Sequence, residues 1–186
     1  MNKIIVKEYN SNWKIEFQKA YDFYKKLLAD IKVNIEHVGS TSVEGMWAKP
    51  ILDIDIIVEN EKSSKLVLAN LTNVGYNHIG NFGIEGREVL KYKPDNKYIT
   101  WMTHNLYVCI DGCENLQNHL LLKKHLKKNK DAVKSYSEIK RNLAKMYPND
   151  IDSYVDGKTE LIIQFLKNEG MDMEELNRIT AINKIE

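Results

Sequence analysis

Two carboxylates stand two residues apart in an apolar segment, residues 51–58 (ILDIDIIV). The apolar, β-branched composition predicts a strand, so Asp53 and Asp55 would share one face with Cα atoms about 6.6 Å apart. The opposite face would be filled by Leu52, Ile54, Ile56 and Val58. Two unpaired acids on a buried strand are costly, and a divalent cation is the simplest partner for them. Mg²⁺ commonly binds one or two carboxylates together with substrate phosphates.

A glycine followed by hydroxyl residues precedes this strand. Gly39, Ser40 and Thr41 come directly after residues 33–38, which alternate as a strand does. Glycine permits a tight turn, and hydroxyl groups donate to phosphate oxygens. If a helix begins at about residue 41, its free N–H groups point at the same anion. A metal on the two acids would then meet a triphosphate and favour in-line attack at its α-phosphorus. The alternative is an ordinary loop beside an edge strand with solvent-facing acids.

Hydrophobic periodicity predicts the elements that position these residues. Helices are expected over 12–31 and 62–74, the second closed by Gly75, and strands within 76–93 and 98–110. Residues 3–9 are expected to form a short strand or arm, 40–50 a short helix or loop, and 94–97 a turn. From residue 114 the pattern is helical, with breaks near Asn129, Pro148 and Gly170.

Length and composition restrict the class of protein. The chain has 186 residues, a formal net charge of +1 and 43% hydrophobic residues, which suits one domain or one domain with a small appendage. No run approaches the roughly 18 apolar residues of a membrane span, and the first residues lack the apolar region of a signal peptide. Cys109 and Cys113 are then expected to be reduced thiols in a cytoplasmic protein, and their spacing to nearby histidines fits no standard zinc pattern.

A basic stretch at residues 123–130 (KKHLKKNK) raises the question of nucleic-acid binding. The stretch lacks interleaved aromatic residues, and acids elsewhere balance the charge. We therefore favour a solvated helix face near a helix end, where cations suit the helix dipole. A nucleic-acid module would instead show affinity that falls steeply with salt.

The segments 36–43 (EHVGSTSV) and 48–55 (AKPILDID) together resemble the GrpB-like family, a branch of the DNA polymerase beta-type nucleotidyltransferase superfamily. Residues 6–17, 83–87 and 119–158 resemble further parts of the family pattern. The resemblance implies an α/β (α+β) fold, a nucleotidyltransferase-like mixed sheet with flanking helices and a helical C-terminal part. It implies that Gly39 and Ser40 hold a triphosphate and that Asp53 and Asp55 bind Mg²⁺.

Two positions depart from the pattern. Active members of the superfamily usually carry a third carboxylate on a later strand, and the matching segment 104–108 (HNLYV) has no acid. Tyr107 stands where the GrpB-like pattern usually has histidine, and Glu44 stands where it often has proline. Asp111 and Glu114 are nearby substitutes, although neither is clearly in register. The missing acid bears on the general-base step and leaves metal and nucleotide binding open.

Other residues have both a functional and a plain interpretation. Arg87 could clamp a phosphate through bidentate donors or lie on the surface. Lys158 could reach the triphosphate from the helical part or remain solvated. Lys49 could simply flank the strand, and His37 could be a hydrogen-bonded structural histidine. The residues expected to line the site are His37, Lys49, His104 and Tyr107.

The sequence thus predicts a nucleotidyltransferase-like core over residues 1–112 and a helical region over 113–186 that packs on the core. The predicted activity is Mg²⁺-dependent (or Mn²⁺-dependent) nucleotidyl transfer from a nucleoside triphosphate to an unknown small-molecule acceptor. The alternative is a non-catalytic nucleotide- or metabolite-binding protein that retains the fold without the third carboxylate. Neither a membrane nor a nucleic acid is an expected partner.

Overall fold

The computed structural model describes residues 3–93 and 95–183, and the chain divides into two compact units. The sheet unit comprises residues 11–38 and 51–119, and the helical unit comprises residues 1–10, 39–50 and 120–186. The helical unit therefore takes in two early stretches of chain as well as the C-terminal helices. The predicted domain boundary between residues 112 and 113, and the packing of one part on the other, stay predictions.

The sheet unit contains a five-stranded mixed sheet, as the predicted α/β class requires. Its elements are α1 (Asn12–Leu27), β1 (Asn34–Val38), β2 (Leu52–Val58), α2 (Glu61–Asn73), β3 (Tyr76–Gly80), β4 (Arg87–Tyr92), β5 (His104–Ile110) and the beginning of α3 (Glu114–Lys128). The strand order is β1-β2-β5-β4-β3, with β2 and β5 parallel and the other pairs antiparallel.

The boundaries of these elements have local causes. Helix α2 begins after Asn60, whose side chain accepts a hydrogen bond from the Ser63 N–H, and it ends before Gly75, where φ is +90°. Helix α1 ends at Leu27, four residues earlier than predicted. The prediction followed apolar periodicity through Ile31, but the backbone already leaves the helix at Leu28, before the chain enters β1. Residues 98–110 hold one strand, and Pro94 of the predicted turn lies outside the described residues.

One face of the sheet forms a core against α1. The apolar side chains of β2 are buried as expected: Leu52, Ile54, Ile56 and Val58 are at most 1% exposed. On the same face, the hydroxyl groups of Tyr24 and Tyr76 bond to each other, and Tyr76 Oη lies 2.7 Å from His104 Nε2. The indole N–H of Trp101 donates to His104 Nδ1 at 3.1 Å. His104 is thus a hydrogen-bonded histidine of the core.

This burial predicts a pH-dependent stability. Burial lowers the pKa of His104 from 6.5 to about 4. Between these values only the unfolded chain takes up the proton, so the free energy of unfolding falls as pH drops from 6.5 to 4, by up to about 3 kcal/mol. Urea unfolding at several pH values measures this. His104→Gln should flatten the pH dependence in this window. An unchanged slope in the His104 variant contradicts the assignment.

The helical unit contains the rest of α3, then α4 (Lys130–Met146), α5 (Ile151–Asn168) and α6 (Met173–Asn183). The breaks fall near Asn129, Pro148 and Gly170, as predicted. Asn129 and Asp150 cap α4 and α5 by accepting backbone N–H bonds, which explains why the helices restart there.

Residues 3–9 form an extended arm rather than a regular strand. The Ile4 N–H donates to the Pro148 carbonyl at 2.7 Å, and Lys7 pairs with Ala48 in an isolated bridge. Ile4 is buried with Leu143 and Tyr154. The arm is therefore part of the core of the helical unit.

Within the described residues, the helices are too short or too polar to cross a bilayer.

Candidate functional site

The second face of the sheet carries the two acids side by side, as predicted. Asp53 pairs with Asn105 and Asp55 with Tyr107 across the parallel β2–β5 pairing, and paired residues project to the same side. Arg87 reaches this face from β4, because it pairs with Cys109, two residues beyond Tyr107. The register thus gathers Asp53, Asp55, Tyr107 and Arg87 on one surface of the sheet unit, which we call the acidic face.

Asp55 is completely buried, and its charge is matched by His119. His119 projects from α3, and its Nδ1 lies 2.9 Å and 3.2 Å from the two carboxylate oxygens of Asp55. Burial opposes the charged form of His119, but the Asp55 carboxylate, through its charge and hydrogen bond, raises the pKa of His119 above its ordinary value. The sequence reasoning expected a cation to neutralise the buried acid, and in the sheet unit an imidazole contacts it.

Asp53 is less deeply buried and has a polar neighbour. The Asn105 side-chain amide donates to Asp53 Oδ1 at 2.8 Å. Tyr107 lies beside both acids, and its ring meets that of His119 at 5.5 Å in an edge-on arrangement. Burial, with the charges of Asp53 and Asp55, raises the pKa of Tyr107 well above its ordinary value. Tyr107 therefore stays protonated at neutral pH and cannot accept a proton as a carboxylate would.

Arg87 is held in place by three contacts on this surface. Its guanidinium donates to Asn115 Oδ1 at 3.1 Å and to the Asn81 carbonyl at 2.9 Å, and it lies over the Tyr107 ring at 5.9 Å. Among the described residues, its buried Nε has no hydrogen-bond partner. The structure thus makes Arg87 a fixed cation on the acidic face rather than a loose surface arginine.

The two histidines expected to line the site are not on this face. His37 pairs with Ile54 and His104 with Leu52, so both project to the opposite side of the sheet. His37 stacks on Phe17 of α1 at 4.6 Å, and His104 belongs to the buried tyrosine network. The strand alternation that unites Asp53 and Asp55 therefore separates these histidines from them.

A further carboxylate does occupy the acidic face, but on a different strand from the one expected. Glu36 of β1 pairs with Asp55 in the antiparallel register, and both side chains therefore project to the same side. Position 107 on β5, directly opposite, holds tyrosine. Asp111 and Glu114, the nearby acids considered as substitutes, both follow the end of β5 and therefore do not lie on that strand.

The donor set of this face suits a hard cation. Carboxylate oxygens are the protein ligands that Mg²⁺ prefers, and the ion typically takes only one or two of them. Within the described ranges, no group of three or more histidine, cysteine, aspartate and glutamate side chains is arranged to hold a metal. Asp53 and Asp55 are the residues of this face that would hold such an ion, with water and phosphate as its other ligands.

The glycine-serine turn belongs to the helical unit and differs from the prediction in one respect. Gly39 has φ +66° and ψ −172°, a conformation that glycine adopts without strain. The expected helix from residue 41 is a single 3₁₀ turn, Ser40–Ser42, because the Ser42 hydroxyl bonds back to the Gly39 carbonyl at 2.7 Å and closes the turn. Thr41 is only 1% exposed. The turn therefore presents Ser40, not a helix N-terminus.

A buried lysine contacts this turn. Lys140 of α4 is 2% exposed, and its Nζ donates to Ser40 Oγ at 2.8 Å. The ammonium also lies over the Tyr136 ring, 4.6 Å from the centroid. An ammonium group has three donors, so it can hold the hydroxyl and an anionic oxygen together. Lys140 is the residue of this unit that the sequence reasoning missed.

The other two predicted cations meet at a second aromatic ring of the helical unit. Lys158 Nζ lies 4.6 Å and Lys49 Nζ lies 5.6 Å from the centroid of Tyr154. Tyr154 is 1% exposed, so the ring is a fixed platform for both ammonium groups. The structure thus brings Lys49 and Lys158 together, although they are far apart in sequence.

The sequence contains weak signals for the three residues that the prediction missed, His119, Glu36 and Lys140. His119 lies in the second turn of the helix that follows the strand of Tyr107, and Glu36 lies at an offset from Gly39 that antiparallel pairing carries to Asp55. Both signals require the strand register, which the sequence alone does not supply. Lys140 sits among the apolar positions of α4, where a lone lysine is an exception to burial rules.

The fold resembles that of a solved poly(U) polymerase. It superposes on Cid1 poly(U) polymerase in a structure with Mg 3′-dATP bound, with a TM-score of 0.55 and 12% identity over 83% of this chain and 50% of Cid1. Another Cid1 structure, with its short product ApU, gives a TM-score of 0.53 and 14% identity over 75% of this chain and 43% of Cid1. The chain therefore has a nucleotidyltransferase-like fold.

Closer relatives define the family within that class. The model described as GrpB protein matches residues 3–168. The glutamate-rich protein GrpB of Alkalihalophilus pseudofirmus is 32% identical over 165 residues, covering 88% of this chain and 94% of the relative. The crystal structure of conserved protein GrpB from Enterococcus faecalis has a TM-score of 0.75 and 31% identity, covering 94% of this chain and 98% of that one. The chain belongs to the GrpB family.

Proposed function

We propose that this GrpB-family protein catalyses Mg²⁺-dependent transfer of a nucleoside monophosphate from a nucleoside triphosphate to a small-molecule acceptor. The observation that carries the proposal is the pair of strand-borne acids, one of them fully buried with a matched charge. A buried carboxylate is costly, and here it is retained on a fold shared with Cid1, which binds Mg 3′-dATP. Mn²⁺ would serve in place of Mg²⁺ because it also binds carboxylates.

Asp53 and Asp55 would hold the ion, which when bound neutralises charge on the phosphates. His119 orients Asp55 through its two contacts to the carboxylate oxygens, and Asn105 orients Asp53. Fixed carboxylates lose little entropy when they bind a cation. Binding of an ion to Asp53 and Asp55 would therefore require little ordering of these side chains.

The phosphates would be held by residues of the helical unit. Gly39 and Ser40 form the turn, and Lys140 supplies a fixed positive charge at the Ser40 hydroxyl. Thr41 contributes to the turn mainly through its backbone, because its side chain is buried. Lys49 and Lys158, together at Tyr154, are further candidates for phosphate oxygens, as is Arg87 in the sheet unit.

The chemical step forms a bond from the acceptor oxygen to the α-phosphorus and breaks the bond to pyrophosphate. The proton of the acceptor needs a base, and Tyr107 cannot serve because its pKa is raised. Glu36, paired with Asp55 across β1 and β2, is the residue we assign to this role.

The alternative function is nucleotide or metabolite binding without turnover. It is favoured by one observation: tyrosine stands at the β5 position opposite Asp55, where active members of the superfamily usually carry an acid. In that reading Asp53, Asp55 and Ser40 bind a ligand and the protein acts as a sensor.

One experiment tests the proposal and separates it from the alternative. Each of the four nucleoside triphosphates is titrated with Mg²⁺ or Mn²⁺ in a calorimeter, and pyrophosphate release is then assayed with a metabolite pool as acceptor. We expect metal-dependent binding at micromolar to millimolar Kd, and release that requires the pool. Binding without release supports the sensor. The absence of binding to every triphosphate contradicts the transferase and the nucleotide-binding form of the alternative.

A further inference from the structure

A separate groove of about 830 Å³ lies within the helical unit, and none of the residues assigned above to the phosphates lines it. One wall is the N-terminal arm, which is fixed at Ile4 by the Pro148 carbonyl and at Lys7 by Ala48. Trp47 also lines the groove, and its backbone N–H donates to Ser137 Oγ of α4 at 3.1 Å. The walls are therefore held by hydrogen bonds within one unit.

The polar lining of this groove is cationic. Lys3, Arg141 and Lys145 line it, and no acidic residue does. Arg141 and Lys145 are four residues apart on α4 and so share a helix face. Across residues 3–93 and 95–183, no carboxylate forms an ion pair with any of these three side chains. The groove therefore carries a local positive charge in a chain whose net charge is only +1.

The rest of the lining is apolar and partly exposed. Ile5 is 51% exposed although it lines the groove, and Pro148 closes one part of it. The Arg141 guanidinium lies 4.8 Å from the centre of the Trp47 ring system. This contact orients a flat cation at the edge of an apolar surface. Such a combination accepts a molecule with an apolar ring and an anionic head.

We propose that this groove binds a small aromatic anion, with its ring against Trp47 and Ile5 and its phosphate or carboxylate between Arg141 and Lys145. The volume is in the range of small-molecule sites, which is about 300–1,000 Å³. The complementarity of charge selects an anion, and the apolar wall selects a ring. This site does not depend on the proposed transferase function, because it uses none of the same residues.

Phenyl phosphate is the probe, because it joins one ring to one anionic head. Trp13 and Trp101 are only 4% and 7% exposed, so the half-buried Trp47 is the tryptophan that a ligand in this groove would quench. We expect quenching with a Kd of about 1 mM or tighter. Trp47→Phe should abolish the fluorescence change, and calorimetry on that variant should still detect weaker binding. Benzyl alcohol and inorganic phosphate should each bind at least about tenfold more weakly.

The charge is tested by Arg141→Gln combined with Lys145→Gln. This double variant should bind phenyl phosphate at least about tenfold more weakly, whereas Lys134→Gln, at an exposed lysine of the same helix, should bind as the unchanged protein does. Thermal unfolding confirms that each variant is folded. Equal binding by the double variant, or equal affinity for benzyl alcohol, overturns the proposal. Tighter binding of oligothymidylate than of phenyl phosphate also overturns it, because the occupant would then be a nucleic acid.

Discussion

Replacing Asp53 and Asp55 together with asparagine should reduce Mn²⁺-dependent nucleotide binding by at least about 100-fold. Asparagine keeps the size and one carbonyl oxygen of each acid but removes both negative charges, and two charge-assisted contacts are each worth roughly 1.5–3 kcal/mol. Electron paramagnetic resonance of Mn²⁺ measures the loss of metal binding. Calorimetry with a non-hydrolysable triphosphate measures the loss of nucleotide binding.

The matched control for this variant is Asp30→Asn, which removes one exposed carboxylate between α1 and β1. It should leave the Mn²⁺ affinity within about twofold, since an exposed surface charge is screened by solvent and salt. The single change Asp55→Asn removes the carboxylate charge that raises the pKa of His119. The pKa of His119 should therefore fall, and NMR titration measures this. If the double variant binds Mn²⁺ and nucleotide as tightly as the unchanged protein, the acids are not the metal site.

Lys140→Met should weaken triphosphate binding by about 30- to 100-fold while leaving the Mn²⁺ affinity of the apo protein unchanged. The substitution removes the ammonium at Ser40 but keeps an unbranched side chain of similar length in a position that is 2% exposed. A lost charged contact to a phosphate accounts for the first effect. Because burying an ammonium is costly, the free energy of unfolding should stay constant or rise.

This combination of weaker binding and undiminished stability separates a functional lysine from a structural one. Lys134→Met, on an exposed part of the same helix, serves as the control and should change neither quantity. Ser40→Ala should weaken triphosphate binding by a smaller factor, since it removes a hydroxyl and leaves the charge. If Lys140→Met unfolds the protein and Lys140→Arg restores both stability and full affinity, the role of Lys140 is structural.

The strands and helices were predictable wherever a local pattern determines the structure. Alternation in residues 51–58 placed Asp53 and Asp55 on one face, and the breaks at Asn129 and Pro148 followed from capping and proline chemistry. Helix α1 was predicted too long because periodicity alone does not report where the backbone turns. Local patterns thus determine which elements form, but not always where they end.

The components of the candidate site that depend on tertiary structure were not predictable from the sequence. Contact between His119 and Asp55, 64 residues apart, depends on how α3 packs on the sheet. Glu36 reaches the acidic face only because β1 pairs with β2 in one register, and a shift by one residue would have placed His37 there instead. The β1–β2 register places His37, and the β2–β5 register places His104, on the side opposite the acids. A single sequence does not determine such registers.

The attachment of the N-terminal arm to the helical unit constrains the order of assembly during synthesis on the ribosome. Ile4 is synthesised well before its backbone partner Pro148 and its apolar neighbours Leu143 and Tyr154, which follow it by more than a hundred residues. The arm must therefore wait, unpaired, while the intervening strands are made. Deletion of residues 3–9 would consequently damage helices encoded more than a hundred codons downstream.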